Sequence, residues 1–342
     1  MVQLGENVPV GVGVVGVGRM GAFHVERLGL RDDFRLLRVY DANPAACRRL
    51  SRHPAEICTE LSGVLGDPRI EVVLLATPPA TLPLLAIAAL EAGKHIVVES
   101  PLALGLREAD AIIETAIRQQ RVACVVQFGR WDGDFRTAHT ALRSGALGRP
   151  LAIRRIAARL SAPAAPVRQM AGDWRGSTVS GGGCLWECGA PCFDQLLQLV
   201  PQLPESVYAQ IAVSQCPAAV DQAFVAQVRF PGGTFAHIEV DRTALAPLET
   251  GWMIQGETGA YAQFTEFMAT SEGEIVDVPL DRLPTASDDF YAAVFRCLRV
   301  QGPNPGPPAD ARRVLRLIAA ARHSAQTGEI VRLDLETQAD PG

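Results

Sequence analysis

The first third of the chain alternates short apolar runs with longer segments in which apolar residues recur every three or four positions. Continuous apolar runs are typical of strands buried on both faces, and the longer periodic segments are typical of helices. The predicted strands are 10–15, 36–40, 72–76, 95–98 and 122–126, and the predicted helices are 20–30, 44–52, 82–92 and 106–119. Strands that alternate with helices predict a parallel sheet covered by helices on both faces.

From about residue 130 the pattern changes, because strand-like segments now follow one another with short turns. The predicted strands are 151–160, 207–213, 224–230, 234–241, 252–255 and 260–264, and the predicted helices are 134–146, 181–199, 288–298 and 309–327. Residues 161–180, rich in Ala, Pro, Gly and Ser, predict a long loop. Pro231-Gly232-Gly233 predicts a hairpin turn. Successive strands with short turns predict an antiparallel sheet.

A chain of 342 residues is too long for one typical core, so we expect two domains. Residues 1–128 form the predicted α/β domain with a parallel sheet. Residues 129–342 form the predicted α+β domain with a predominantly antiparallel sheet. For its final helix, packing back on the first domain is an alternative.

Composition argues against several classes of protein. The formal net charge of −5 disfavours a nucleic-acid surface, and no run of 18 or more apolar residues predicts a membrane span. Residues 1–9 lack the basic region of a signal peptide, and eight cysteines fit no compact disulfide scaffold. A reduced, cytoplasmic protein is therefore expected. Lys94, the only lysine, lies in a predicted turn.

A glycine-rich motif points to a nucleotide. Gly16-Val17-Gly18-Arg19-Met20-Gly21 fits the G-x-G-x-x-G pattern, follows a predicted strand and opens a predicted helix. Such glycines permit a tight turn and close approach of the backbone to a diphosphate, which a helix N-terminus attracts. Asp41, at the end of the second strand, can accept hydrogen bonds from ribose hydroxyls and would repel a 2′-phosphate. We therefore expect NAD in a Rossmann domain; NADP is the alternative, since Arg48 or Arg49 could soften the preference.

Two further turns end predicted strands of the parallel sheet: Thr77-Pro78 and Glu99-Ser100-Pro101. Ligands of open parallel sheets bind beyond the carboxyl ends of the strands. Thr77, Pro78, Glu99 and Pro101 are therefore candidates to bind the cofactor. Prolines that simply terminate strands are the alternative interpretation.

Several segments together resemble the Gfo/Idh/MocA oxidoreductase family, in the family's order and over nearly the whole chain. They are the glycine motif, residues 76–78, residues 91–99 before the family's Glu-Lys-Pro signature, residues 144–148, residues 173–175 with glycines 181–183, and residues 320–328. The resemblance implies that the antiparallel sheet is open and that its outer face packs subunits into a homodimer or homotetramer. It also implies nicotinamide-dependent oxidation or reduction of sugars, cyclitols and related small molecules.

The chain departs from this family where protons are transferred. Ser100 stands where the family has its catalytic lysine. The family's aspartate and histidine, four residues apart after the triple glycine, are replaced by Glu187 and Pro191, while Asp194 matches a further acidic position. A serine hydroxyl can orient a substrate or donate a hydrogen bond, but it does not replace an ammonium group, and proline has no proton to give.

Three residues are candidates for catalysis. Glu187 is the best remaining acid or base, because a carboxyl group in an apolar pocket can have its pKa raised towards neutrality. A surface or capping glutamate is the alternative. For Asp194 a structural role as hydrogen-bond acceptor is favoured over catalysis, and Ser100 is either a hydrogen-bonding group of the site or a turn residue.

Aromatic and basic side chains of the second domain are candidates to contact a substrate in the cleft between domains. They are Arg130, Trp131, Trp174 and Arg175, together with Pro191 at the family's histidine position. An arginine can clamp an anion and a tryptophan can stack on a ring. Each of these side chains is equally suited to holding the domains together.

No metal site is expected. Cys184, Cys188 and Cys192 recur every fourth residue, but buried apolar packing is favoured over a metal or covalent role. The histidines, of which His24 is one, show no recognisable ligand spacing.

Three functions are compatible with these residues. The first is an NAD(P)-dependent oxidoreductase with unusual proton handling that acts on a sugar-, cyclitol- or imine-like molecule; a protonated imine already carries its activating charge. The second is a cofactor-bound sensor or partner-binding protein without net turnover. The third is a redox-neutral lyase, isomerase or cyclase on the same fold.

Overall fold

A computed structural model describes residues 8–333, apart from 49, 51–54, 159–172, 214–219, 244–249, 263–266, 272–273 and 279–280. The chain divides into two compact units. The first contains residues 1–127 and 287–313, and the second contains residues 128–286 and 314–342.

The first unit is built on a parallel sheet that, within the described residues, has six strands in the order β3-β2-β1-β4-β5-β6. Its strands are β1 (Val10–Val15), β2 (Phe34–Tyr40), β3 (Glu56–Ile57), β4 (Val72–Leu75), β5 (His95–Val98) and β6 (Ala123–Val125). The helices between them are α1 (Arg19–Gly29), α2 (Pro44–Arg48), α3 (Leu61–Leu65), α4 (Leu82–Glu91) and α5 (Leu106–Arg118). This strand order is that of a doubly wound dinucleotide-binding fold, so the predicted fold class of the first domain is confirmed.

Register brings the carboxyl ends of the central strands together. Val15 lies beside Tyr40 on one side and Leu75 on the other, and Leu75 lies beside Val98. The turns that follow β1, β2, β4 and β5 therefore share one edge of the sheet, which is the edge where ligands of such sheets bind. Of these strands, β1 and β4 are buried along their whole length, and β5 is buried except at its first residue.

Residues from the far end of the chain complete the first unit. Segment 287–313 contains α8 (Asp288–Arg299). In the same segment, the Gly306 carbonyl accepts a hydrogen bond from the Val125 N–H at 2.7 Å. The buried Arg299 guanidinium donates to both oxygens of Glu71 at 2.8 Å. The edge strand β6 and the loop before β4 thus gain hydrogen-bond partners that lie more than 170 residues away in sequence.

The second unit is built on a sheet that, in the described part of the chain, has nine strands in the order β14-β13-β12-β11-β7-β10-β9-β8-β15. Its strands are β7 (Pro150–Ala158), β8 (Ser206–Val213), β9 (Asp221–Arg229), β10 (Phe235–Asp241), β11 (Gly251–Gly256), β12 (Gly259–Ala262), β13 (Phe267–Ser271), β14 (Glu274–Val278) and β15 (Val331–Arg332). The helices are α6 (Gly133–Arg143), α7 (Ala190–Leu199) and α9 (Pro308–Thr327), the last of which contains the boundary between the units at residue 313.

Pairing in this sheet is antiparallel except between β7 and β10, which run parallel. The prediction of a predominantly antiparallel sheet is therefore confirmed. Its inner face packs on helices through large aromatic side chains: Phe224 of β9 contacts Phe193 of α7, and Trp252 of β11 contacts Phe135 of α6. All four of these side chains are buried.

Some details differ from the sequence-based expectations. The predicted helix over 181–199 is instead a glycine turn, a π-helix over Leu185–Gly189 and then α7. Most of the predicted loop over 161–180 lies outside the described residues, as does Arg49; the remainder contains short 3₁₀ turns at Trp174–Gly176 and Thr178–Ser180. The short strands β3, β13, β14 and β15 and the short helix α3 were not predicted.

Candidate functional site

The glycine motif forms the turn between β1 and α1. Gly16 adopts a left-handed backbone conformation with φ of +87°, and its N–H donates to the Tyr40 carbonyl at 2.8 Å. At Gly21 a Cβ atom would collide with the Gly16 carbonyl, so only glycine permits this close approach. At Gly18 a Cβ would meet no protein atom within 4 Å, so the backbone there faces open space.

The first turn of α1 fits a bound anion. Gly18 precedes the helix as its N-cap and provides no side chain to accept hydrogen bonds from the first N–H groups. Arg19 is exposed and Met20 is half-buried, and neither residue is acidic. Backbone N–H groups at a helix N-terminus that lack a side-chain cap attract negative charge, and a dinucleotide diphosphate supplies that charge.

Asp41 is held next to this turn by two backbone donors. Its Oδ2 accepts from the Val17 N–H at 2.7 Å, and its Oδ1 accepts from the Asn43 N–H at 2.7 Å. The carboxylate of the second strand is thereby tied directly to the glycine motif of the first. Each oxygen keeps a further lone pair, with which it can accept from a ribose hydroxyl.

The Thr77-Pro78 turn lies against the same glycines. The Thr77 side chain reaches the space where a Cβ on Gly16 would stand, and its buried hydroxyl has no hydrogen-bond partner among the described residues. The Pro78 carbonyl accepts from the Thr81 N–H at 3.0 Å and starts the turn into α4. A buried hydroxyl without a partner is costly, so this atom is consistent with a polar group of a ligand approaching from the sheet edge.

The turn after β5 contains Glu99, Ser100 and Pro101. Glu99 is 16% exposed and its Oε1 lies 2.8 Å from the His24 Nε2, while Ser100 is half-buried and Pro101 is buried. The His24 Nδ1 in turn lies 2.7 Å from the Tyr291 hydroxyl. This series of hydrogen bonds from Tyr291 through His24 to Glu99 was not predicted, because the three residues lie far apart in sequence and no local motif marks them.

Lys94 lies at the opposite edge of the sheet, just before the start of β5. Its side chain is buried, and its Nζ donates to the carbonyls of Asp67 and Ile70 at 2.8 Å each. Burial lowers its pKa from the usual value. The only lysine of the chain is therefore committed to two backbone carbonyls, away from the strand ends that hold Gly16 and Asp41.

In the second unit, Glu187 lies in the π-helix between two arginines. Its Oε1 accepts from the Arg242 Nη1 at 2.9 Å, and its Oε2 lies 3.2 Å from the Arg175 Nε. Arg175 also bonds to Asp173 and stacks on the Trp174 ring, 4.5 Å from its centroid. The Glu187 carboxyl group thus lies between two guanidinium groups and not in an apolar pocket.

Asp194 and Arg130 form a bidentate ion pair in the same unit. The Arg130 Nε donates to Oδ2 at 2.8 Å and its Nη2 donates to Oδ1 at 2.6 Å, while Asp194 is only 1% exposed. The next residue, Gln195, donates from its side chain to the Gly129 carbonyl. These contacts join the 3₁₀ turn Phe128–Trp131 to α7. The turn holds the half-buried Trp131, and Pro191, also half-buried, lies in the first turn of α7.

The three cysteines precede or lie within the helices beside Glu187. Cys184 and Cys192 are buried, Cys184 and Cys188 are hydrogen-bonded through their side chains, and burial raises the pKa of Cys192 to about 11. Among the described residues, no group of three or more His, Cys, Asp or Glu side chains is arranged to hold a metal ion.

A carboxyl group that the sequence did not single out is Asp132, the N-cap residue of α6. Burial, reinforced by the neighbouring Asp134 carboxylate, raises its pKa to about 6. It follows Trp131 directly in the sequence. No sequence pattern distinguishes it, because the shift arises from surroundings that only the fold brings together.

Comparisons with known proteins agree with this geometry. Residues 10–128 match the oxidoreductase family of NAD-binding Rossmann fold, and residues 135–262 match the GFO/IDH/MocA C-terminal domain. An uncharacterized oxidoreductase of Escherichia coli, YdgJ, is 27% identical over 79% of this chain and 83% of its own. The NAD⁺-dependent scyllo-inositol 2-dehydrogenase of Bacillus subtilis is 26% identical over 94% of this chain and 96% of its own.

Among solved structures, an NAD-binding protein from Listeria innocua superposes with a TM-score of 0.84. It is 27% identical, and the match covers 95% of this chain and 97% of that protein. In the described part of the chain, none of the helices has the length and apolar character needed to cross a membrane.

Proposed function

Because the chain belongs to the Gfo/Idh/MocA oxidoreductase family, we propose that it is an NAD(H)-dependent oxidoreductase of a small polyol, sugar or imine, with proton handling unlike that of its relatives. The observation that supports the proposal most directly is the hydrogen bond between the glycine turn and Asp41. One carboxylate oxygen is bound to the Val17 N–H inside the motif, so the diphosphate and ribose contacts would form at one place. The same carboxylate would repel a 2′-phosphate, which favours NAD over NADP.

When bound, the nicotinamide supplies or accepts a hydride, and the protein must supply or remove the matching proton. A lysine cannot do so here. Ser100 occupies the position where the family has lysine, and Lys94 is buried in hydrogen bonds to two carbonyls at the other edge of the sheet. In our proposal Ser100 orients the substrate by a hydrogen bond and does not titrate.

Glu187 is the base in this proposal. A carboxylate accepts a proton and has none to donate, so its role here is to remove the proton of an alcohol during oxidation. Its side chain is 17% exposed, which leaves it accessible. Arg175 and Arg242 hold it in one orientation, as a positioned base requires.

The substrate class follows from the chemistry of the second unit and from the names of relatives. Trp174, stacked on Arg175, offers an aromatic surface for a ring, and the charged groups around Glu187 can hydrogen-bond several hydroxyls. One relative acts on scyllo-inositol. A polyol or sugar therefore fits best, and an imine is retained because its protonated form needs less help from a missing acid.

A second function is favoured by one observation. The ion pairs of Glu187 occupy both of its oxygens, and the lysine of the chain is structural. A protein that holds the cofactor without net turnover, as a sensor or partner-binding subunit, would need neither group for chemistry.

The test is turnover of NAD⁺ and NADH on panels of polyols, sugars, carbonyls and imines, followed by absorbance and by product analysis. With an active substrate, Glu187→Gln should lower kcat by about 10²–10⁴-fold and leave NADH affinity unchanged. Glu257→Gln is the matched control, because Glu257 forms an exposed ion pair with Arg149 in the same unit.

Full activity of Glu187→Gln would rule out its role as the base. Tight NADH binding by the unmodified protein with no turnover on any panel would favour the non-catalytic function. Product formed without net change in NADH would point to a redox-neutral reaction.

A further inference from the structure

A buried hydrogen-bonded chain links three separate elements of the first unit. Tyr291 of α8 bonds to His24 of α1 at 2.7 Å, and His24 bonds to Glu99, after β5, at 2.8 Å. The His24 side chain is 0% exposed and Tyr291 is 3% exposed. The Tyr291 ring also meets the His24 ring edge-on, at 5.9 Å between centroids.

The direction of the hydrogen bonds follows from the chemistry of the groups. An ionised Glu99 can only accept, so the His24 Nε2 carries the hydrogen on that side. Burial, reinforced by the nearby Glu99 and Asp288 carboxylates, raises the pKa of Tyr291, so the phenol keeps its proton and can donate it to the His24 Nδ1. A neutral imidazole satisfies both bonds, and the tyrosine thereby fixes which ring nitrogen faces Glu99.

The place of Glu99 in the sheet tells which part of a dinucleotide it would meet. The strand β5 follows β4 on one side of β1, whereas Asp41 ends β2 on the other side. In doubly wound folds each half of the sheet binds one mononucleotide. With adenosine assigned to Asp41, Glu99 belongs to the half that takes the nicotinamide nucleotide. His24 lies on α1, whose N-terminus would face the diphosphate in the proposed function.

We infer that His24 and Tyr291 are positioning residues that hold the Glu99 carboxylate in one orientation. Affinity for the nicotinamide nucleotide depends on this series of hydrogen bonds. The inference rests on the proposed function, because it presumes that the first unit binds NAD(H). Neither His24 nor Tyr291 needs to touch the cofactor. Their effect passes through Glu99, which a buried imidazole donor keeps from rotating.

The experiment compares two ligands, NADH and ADP-ribose, which share the adenosine and diphosphate parts and differ in the nicotinamide. Binding of each is measured by calorimetry. His24→Leu removes the donor to Glu99 and should weaken NADH binding by about tenfold or more, with ADP-ribose affinity unchanged. His24→Gln, whose amide N–H can replace the Nε2 donor, should recover most of the NADH affinity. Tyr291→Phe should give an intermediate loss.

The matched control is His95→Leu. His95 begins β5, the strand that Glu99 follows, and its Nδ1 accepts from the Val122 N–H at 2.9 Å. This change should lower the melting temperature without altering the ratio of NADH to ADP-ribose affinity. Melting curves of every variant show whether it is folded, and His24→Gln keeps the test valid if His24→Leu is not.

Three results would overturn the inference. In the first, NADH and ADP-ribose affinities fall together in His24→Leu, which would indicate a general structural role. In the second, neither affinity changes, which would show that the hydrogen bonds of His24 do not affect binding. In the third, the unmodified protein binds neither ligand, and the proposed function then fails as well.

Discussion

At the scale of single residues, Lys94 shows how a buried contact decides which chemistry is open to a protein. Its ammonium group donates to two backbone carbonyls in the loop before β4, and its side chain is buried. The Asp67 carbonyl also accepts from the Ile70 N–H at 3.1 Å, so removal of the amine would leave it with that weaker bond. Because Lys94 is the only lysine of the chain, no other lysine could transfer a proton in the proposed reaction.

Lys94→Met should lower the free energy of unfolding by about 1–3 kcal/mol, because the carbonyls of Asp67 and Ile70 each lose the hydrogen bond from the ammonium group. NADH affinity and any turnover should stay unchanged. Urea denaturation and a NADH titration measure the two effects. A loss of turnover at unchanged stability would show instead that Lys94 takes part in the reaction. An amine-reactive reagent adds a second readout, because Lys94 should react only after unfolding.

Asp132 gives a pH-dependent prediction. Its folded pKa of about 6 lies above the usual 3.8, so the folded protein holds this proton more tightly than the unfolded chain does. Its contribution to stability is therefore fully favourable below about pH 4 and is lost as the pH rises through 6. Asp132→Asn should raise the melting temperature at pH 7.5 and leave it nearly unchanged at pH 4.

The control for this prediction is Asp134→Asn, which breaks the ion pair with Arg155 at 2.8 Å and should lower the melting temperature at pH 7.5. Melting curves of both variants and the unmodified protein at the two pH values provide the measurement. An equal shift for Asp132→Asn at both pH values would contradict a raised pKa.

At the scale of elements, substitutions in the glycine turn before α1 distinguish effects on folding from effects on cofactor binding. Gly18→Ala adds a methyl group where no protein atom lies within 4 Å, so the fold should tolerate it. The same methyl would stand where the backbone must approach the diphosphate, so NADH affinity should fall by about tenfold or more.

Gly21→Ala is the contrasting variant, because its Cβ would collide with the Gly16 carbonyl and the turn itself must shift. It should lose both stability and binding. Melting curves and NADH titrations distinguish the two cases. Unchanged NADH affinity in Gly18→Ala would mean that the diphosphate does not lie against this turn.

The sequence predicts those elements whose cause is local. Buried strands such as β1 and β4 are continuous apolar runs, and the glycine motif marks where α1 begins. The π-helix over Leu185–Gly189 has a partly local cause, since Pro191 lacks the N–H that would bond to the Glu187 carbonyl. Two-residue strands such as β3 carry too few positions to show any period.

Side-chain environments are less accessible to prediction. Glu187 could be identified from its place after the triple glycine, but its partner Arg242 lies 55 residues away and nothing local marks it. The contact between Tyr291 and His24 spans 267 residues. Such pairs are created by tertiary packing, which a single sequence does not encode in any local pattern.

At the scale of the whole molecule, the chain leaves the first unit at residue 127 and contributes residues 287–313 to it again. The returning segment brings Tyr291 to His24 and Arg299 to Glu71. The unit that we assign to the cofactor is therefore built from two stretches that lie far apart in sequence. Stability of that unit and affinity for NADH should be linked, because a ligand that binds only the folded form stabilises it.

NAD(H) binding to the first unit is the central claim, and calorimetric titration of the purified protein with NADH and NADPH tests it directly. We predict one NADH bound per chain, with NADPH weaker by about tenfold or more because its 2′-phosphate would meet the Asp41 carboxylate. Absence of binding heat for both nucleotides, with the protein shown to be folded, would contradict the account.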